Sequence, residues 1–327
     1  MYQLMGDLIA SGVPRELVFH FTFDDDRLEP LANDTASQVL EAYFRLVPQA
    51  REGCYLLFDE IQDLPNWTKF VRRISEQHET TIVLTGSSSK LLSRDIPSHL
   101  RGRSLATEMW PLSFKEFCAF RSIDRRQYGG VHTAATSARL EAAFADYLEV
   151  GGFPAVQQLG AHTRIRMLQT YASEILTKDV VERFGTTSLR IAERFARNAL
   201  RSTGLRFSVN AQLKDIRRSN LSVSDERLYA LLDDLEDSHL VFRTSSHSLS
   251  IKENPKAAYR VYSVDAGLAL AVAPAGHLDR GQRLETAVYV ELKRRSGSNR
   301  LNAITSYSGE GCPEVDFLVG DVGLVLS

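Results

Sequence analysis

Asp59 and Glu60 stand side by side after the apolar run Tyr55-Leu56-Leu57-Phe58, within the stretch CYLLFDEIQDLPNW (54–67). Two adjacent carboxylates behind a strand-like run can divide one task. One can hold a hard cation such as Mg²⁺, usually through water, because such cations prefer oxygen ligands. The other can orient and deprotonate a water that attacks a phosphate. The plain alternative is a strand that ends in a solvated acidic loop, and the pair by itself does not decide between the two.

More polar residues follow in a set order. In TIVLTGSSSKLL (81–92) the apolar run ends in Thr85 and Ser87, hydroxyls that could steady an attacking water. A serine-rich helix cap is the ordinary reading of the same residues. SHLRGR (98–103) supplies Arg101 and Arg103, side chains suited to phosphate charge, though loop arginines are commonly just solvated.

The elements that must position these groups alternate. Residues 1–11 have helical apolar spacing with Gly12 behind them, and Leu17–Phe23 reads as a strand. A helix over Thr35–Leu46, with Asp34 as N-cap, leads to the strand 54–58. A helix over Trp67–Gln77 then leads to the strand 81–87. Such alternation predicts a parallel sheet with helices on both faces and a site at the carboxyl ends of its strands. After Arg103 the pattern changes. Ser113 and Glu116 form a capping-box pair, residues 138–200 are mostly helical around a GGFP turn (151–154), and 188–262 reads helix, turn, helix, short strands. Residues 281–327 read helix, strand, turn, strand.

LLFDEIQ, LTGSSSKLLS, LRGR and MWPLSFKEF, in this order and spacing, resemble the AAA+-type ATPases of bacteria and archaea, and YLEVGGFPAV and YASEILTKDVVERFG resemble the opening of their C-terminal region. The resemblance implies an α/β fold with a P-loop NTPase-like parallel sheet, and ATP and Mg²⁺ as cofactors. It implies Asp59 for Mg²⁺, Glu60 for the water, Thr85 or Ser87 as sensor, and Arg101 or Arg103 as the arginine on phosphate. It also implies a parent protein that couples nucleotide state to a protein partner, with oligomers open to it.

The departure from that pattern matters as much as the match. The family needs G-x-x-x-x-G-K-[ST], whose backbone N–H groups cradle the phosphates. None of the eight lysines here follows a glycine. The expectation is therefore a late-start or fragmentary form, weak or inactive in hydrolysis.

Residues 188–275 resemble a winged helix. Its third helix, DERLYALLDDLEDSHL, buries Leu228, Leu231, Leu232 and Leu235, and carries six acids against Arg227, which a phosphate groove would repel. Its first helix places Arg190, Arg194, Arg197 and Arg201 on one face, and Arg217 and Arg218 follow in the second; the ordinary reading of that face is a solvated one, with Glu193 pairing Arg197 at i+4, and it outweighs phosphate tracking. The alternative function is accordingly an interaction module that binds DNA through these arginines. Residues 276–327 resemble a truncated PD-(D/E)XK nuclease-like region with Glu285 and Asp316 as its acids. The E-x-K partner is missing, so these two are expected to be structural or vestigial. The expected division is an ATPase core over 1–125, a helical linker over 126–187, the winged-helix region over 188–275 and the nuclease-like region over 276–327.

Composition adds bounds. A net charge of −2 gives no global pull toward nucleic acid or anionic membrane, so basic surface must be local. Three scattered cysteines fit a reducing compartment, and no apolar run suffices to span a bilayer. The sequence therefore predicts a cytoplasmic protein with no membrane partner.

Overall fold

The computed structural model describes residues 1–86, 104–123, 134–177, 189–245, 259–274, 276–296, 304–307 and 315–320. The chain forms two compact units, Met1–Ala106 and Thr107–Ser327.

In the first unit, strands β1 (Val18–Thr22), β2 (Cys54–Asp59) and β3 (Thr80–Leu84) form a parallel sheet in that order. Phe21 pairs with Phe58, Thr22 with Asp59, and Phe58 with Leu84. β2 is central, which explains its unbroken apolar run: Leu56, Leu57 and Phe58 are fully buried. Helices α2 (Thr35–Leu46) and α3 (Trp67–Gln77) cover one face. They bury Leu40, Tyr43 and Phe44, and Phe70, Val71 and Ile74, against Leu56 and Phe58. Each such large side chain contributes about 1.5–3 kcal/mol on burial.

Helix α1 (Tyr2–Ala10) leans on β1, with the Tyr2 ring 5.3 Å from that of His20. It buries none of its residues. Its end is a Schellman turn: the Gly12 N–H donates to Ile9 O and the Val13 N–H to Leu8 O, with Gly12 at φ +99°. One expected cap fails. The Asp34 side chain caps no N–H of α2; its Oδ2 accepts from the Gln38 amide at 2.8 Å instead, and its backbone is already helical. A residue in that conformation cannot turn its carboxylate back onto the first turn.

In the second unit, α4 (Phe114–Phe120) carries the expected capping box of Ser113 and Glu116. It packs with α5 (Ala134–Val150) through Phe117, Tyr147 and Val150. Helix α6 (Ala161–Ile175) leads toward α7 (Leu189–Arg201). Then come β4 (Arg206–Phe207), α8 (Val209–Arg218), α9 (Asp225–Asp237), β5 (Val241–Thr244) and β6 (Tyr259–Ser263). The three strands are antiparallel in the order β4-β6-β5. Ser224 caps α9, and Leu228, Leu231, Leu232 and Leu235 face the core. Helices α10 (Ala266–Val272) and α11 (Arg280–Ser296) precede the antiparallel pair β7 (Ile304–Tyr307) and β8 (Val315–Val319).

Three chain passes meet in one knot of this unit. Asp265 caps α10 by accepting from the Leu268 N–H at 2.8 Å, and also accepts from the Gly152 N–H at 2.6 Å. The Gly152 carbonyl accepts from the Leu112 N–H at 2.7 Å, and the Tyr147 hydroxyl donates to Leu112 O. A Cβ on Gly152 would lie 2.4 Å from Leu112 O, and one on Gly267 would lie 2.3 Å from Val150 O. Only glycine permits that approach of backbones.

Candidate functional site

The sheet of the first unit has a second face, carrying Val18, His20, Leu57, Asp59 and Thr85. Period-two alternation puts these opposite the residues under α2 and α3. At the carboxyl ends of the strands the backbone links are tight. The Phe23 N–H donates to Asp59 O at 3.0 Å, and the Thr85 N–H donates to Phe58 O at 3.0 Å. The Ile61 N–H donates to Thr85 O at 3.2 Å. These bonds fix where Asp59 and Thr85 stand relative to each other.

The side chains then converge. The Thr85 hydroxyl donates to Asp59 Oδ1. His20 Nε2 lies 4.0 Å from Asp59 Oδ2, and this nitrogen is buried without a hydrogen-bond partner. The Asp59 side chain keeps about a third of its surface open to solvent (36%), so its carboxylate remains reachable. Glu60 leaves the strand in the left-handed region (φ +51°, ψ +44°), a conformation that costs a non-glycine residue about 1–2 kcal/mol. The Gln62 amide donates to Glu60 Oε2. Backbone strain at a paired acid, next to an unpartnered buried nitrogen, is the kind of cost folds carry at working sites.

The donor set suits a hard cation. Carboxylate and hydroxyl oxygens converge at a partly open strand end, which fits Mg²⁺ held through water. The phosphate side is different: no Gly-Lys dipeptide exists among the 327 residues, so no lysine-bearing phosphate loop is formed by them.

Of the residues expected from sequence, Asp59 and Thr85 come together, and Glu60 follows Asp59 in the chain with its carboxylate held by Gln62. Ser87, Arg101 and Arg103 lie outside the described residues. Sequence reasoning missed His20 and Gln62. His20 had a visible signal, as the single polar residue within LVFHF (17–21). Gln62 had none, because its role depends on the left-handed turn at Glu60.

The second unit places the other candidates. Glu285 and Asp316 approach the same guanidinium: Arg260 lies 2.7 Å from Glu285 Oε1 and 3.5 Å from Asp316 Oδ1, and the Tyr262 hydroxyl donates to Glu285 at 2.6 Å. An arginine therefore satisfies these acids, and no cluster of three or more metal-ligating side chains occurs among the described residues. Arg194 is taken up internally, donating to Asp215 at 2.8 Å and to the Ser219 hydroxyl. Arg201 donates to Val272 O at 3.3 Å. Arg190, Arg197, Arg217 and Arg218 are exposed. No helix among the described residues is long and apolar enough to cross a membrane.

A parallel α/β sheet with an acid pair and a hydroxyl at its strand ends defines a P-loop NTPase-like, ATPase-like module. Comparison with known proteins agrees: residues 1–118 match a family described as an AAA domain, and residues 141–279 match a domain of unknown function (DUF8612). An uncharacterized protein of Methanocaldococcus jannaschii is 29% identical over 302 residues, which are 92% of this chain and 65% of that protein. An uncharacterized protein of Haemophilus influenzae is 26% identical over 311 residues, 95% of this chain and 73% of that protein. The chain thus spans just under two thirds of the archaeal relative. Among solved structures, a Walker-type ATPase of Pyrococcus abyssi overlaps 74% of this chain and 68% of its own, at 17% identity and a TM-score of 0.41.

Proposed function

We propose that the first unit is an AAA+-type ATPase core in which Asp59 serves Mg²⁺ through water and Glu60 orients the attacking water. The convergence of Asp59, Thr85 and His20 at the carboxyl end of a parallel sheet carries this reading. The Thr85 hydroxyl holds one carboxylate oxygen of Asp59 and leaves the other facing His20 Nε2 at 4.0 Å. Gln62 restrains Glu60 beside it, which limits the directions in which that carboxylate can take a proton. Bound Mg²⁺ would supply charge neutralisation on phosphate oxygens; ATP is the nucleotide the family match favours.

Binding and charge neutralisation by a phosphate cradle cannot be replaced by two acids. The 327 residues are therefore expected to hydrolyse ATP weakly by themselves, with nucleotide state coupled to a protein partner. In the second unit, the order α7-β4-α8-α9-β5-β6, with its strands paired as β4-β6-β5, favours a winged-helix reading. Glu285 and Asp316 are structural acids held by Arg260, in a nuclease-like region without nuclease activity.

The test pairs Mn²⁺ binding, followed by electron paramagnetic resonance, with ATP hydrolysis by residues 1–327. Asp59→Asn is expected to weaken Mn²⁺ binding, and Glu60→Gln to leave an already low hydrolysis rate unchanged. Mn²⁺ binding indifferent to Asp59→Asn would sink the metal assignment. Robust hydrolysis abolished by Glu60→Gln would sink the expectation of weak activity.

A further inference from the structure

Beyond the nucleotide reading of the first unit, the second unit carries a segregated charge pattern. Helices α7 and α8 expose Arg190, Arg197, Lys214, Arg217 and Arg218. A side-chain seam joins the two helices that carry these cations. Arg194 reaches across to Asp215 and Ser219, and the Asn198 amide donates to Gln212 at 2.8 Å. The seam runs along Gln212, Asp215 and Ser219 of α8, so Lys214 and Arg218 stand on its exposed flank, while Arg217 lies on the side turned away from α7. Asp215 is occupied by Arg194, which leaves Glu193 as the exposed acid of the two helices.

The next helix is opposite in sign. Helix α9 carries Asp225, Glu226, Asp233, Asp234, Glu236 and Asp237 against Arg227. A phosphate backbone would be repelled from α9 and drawn to the α7–α8 edge.

We propose that the α7–α8 edge docks duplex DNA through its phosphates, while the helix after the turn, α9, makes no contact with it. Two observations favour a duplex over other polyanions. No large apolar residue of α7 or α8 is exposed among the described residues. An acidic protein partner would need such an anchor at the centre of its interface. A single strand would need exposed aromatic rings on which bases stack, and neither helix presents one. What remains is point charge on two adjoining helices, the chemistry of sequence-independent phosphate contact.

Fluorescence anisotropy of a labelled DNA duplex with residues 1–327, over a salt series, reads this out. Four phosphate contacts give a slope of log K on log salt of about −3.6, or roughly a hundredfold loss of affinity between about 50 and about 200 mM salt. The double variant Arg197→Ala/Arg218→Ala removes exposed side chains and is expected to lower that slope by about 1.8 with unchanged thermal unfolding. Glu226→Gln on α9 is expected to leave binding within about twofold. Absence of salt-sensitive binding, or binding untouched by the double variant, overturns the surface. Tighter binding of an RNA duplex of the same sequence, or of single strands, overturns the choice of duplex DNA.

Discussion

Asp265→Asn should flatten the pH dependence of the second unit's stability. The Asp265 carboxyl is fully buried in the knot joining 110–112, 150–153 and 264–268, and burial pushes it from 3.8 up to about 6. It does so despite the Gly152, Leu268 and Gly267 N–H groups, which all favour the charged form. A rise of about 2.2 units corresponds to about 3 kcal/mol between the two protonation states. The folded form holds this proton more tightly than the unfolded chain. Stability from the group is therefore fully present below about 3.8, and is lost as pH rises through about 6. No charged neighbour complicates the window: burial, with the Asp265 charge, raises the Tyr147 phenol far above it. The variant keeps the shape but turns an acceptor into an NH₂, leaving one N–H donor without an acceptor. That costs about 1–3 kcal/mol at every pH. Urea denaturation of both proteins from pH 4 to 8 isolates the group, because Glu116 and Glu236 titrate alike in each. The advantage of wild type over the variant should shrink by about 2.4 kcal/mol between pH 4 and 8. Parallel profiles would refute the buried, proton-holding assignment of Asp265.

Two further outcomes follow from the same geometry. Gly267→Ala forces a Cβ to 2.3 Å from the Val150 carbonyl oxygen, a backbone atom that cannot swing aside, so thermal or urea unfolding should show a loss of about 1–3 kcal/mol or more. His20→Leu removes a buried nitrogen that makes no hydrogen bond from a face shared with Val18 and Leu57, so it should be neutral or stabilise by about 1 kcal/mol, while Mn²⁺ binding at Asp59 changes; a loss above about 2 kcal/mol would show that His20 is held by more than its strand.

What the sequence made legible was local. The strand 54–58 and the helix Trp67–Gln77 appear where apolar spacing puts them, because β2 is buried on both faces and α3 on one. The Ser113–Glu116 box and the leucine stripe of α9 also depend on residues within two turns of each other. The site was legible in part. Asp59, Glu60 and Thr85 announce themselves by type and order, but His20 reaches Asp59 only through the parallel register of β1 on β2. Asp265 gave no signal at all: it sits in an unremarkable SVDAG, and its donor Gly152 lies 113 residues away. Arg260 between Glu285 and Asp316 is the same kind of fact, a meeting of three remote elements that no window of sequence contains.

That separation shapes how the chain is made. Leu112 and the turn at Gly151–Gly152 emerge from the ribosome long before Asp265, and Pro111 waits still longer for Arg294, whose guanidinium donates to its carbonyl at 2.6 Å. At about 5–20 residues per second, α4 and α5 spend roughly 5–40 seconds with their closing partners unsynthesised. During that interval Phe117, Tyr147 and Val150 can bury one another but not complete the knot. The first unit, Met1–Ala106, is compact in itself and precedes all of these residues in the chain. The nascent second unit is thus the stretch on which a chaperone acting during translation has something to hold, and a chain cut short before Asp265 leaves the Gly152 N–H without its acceptor.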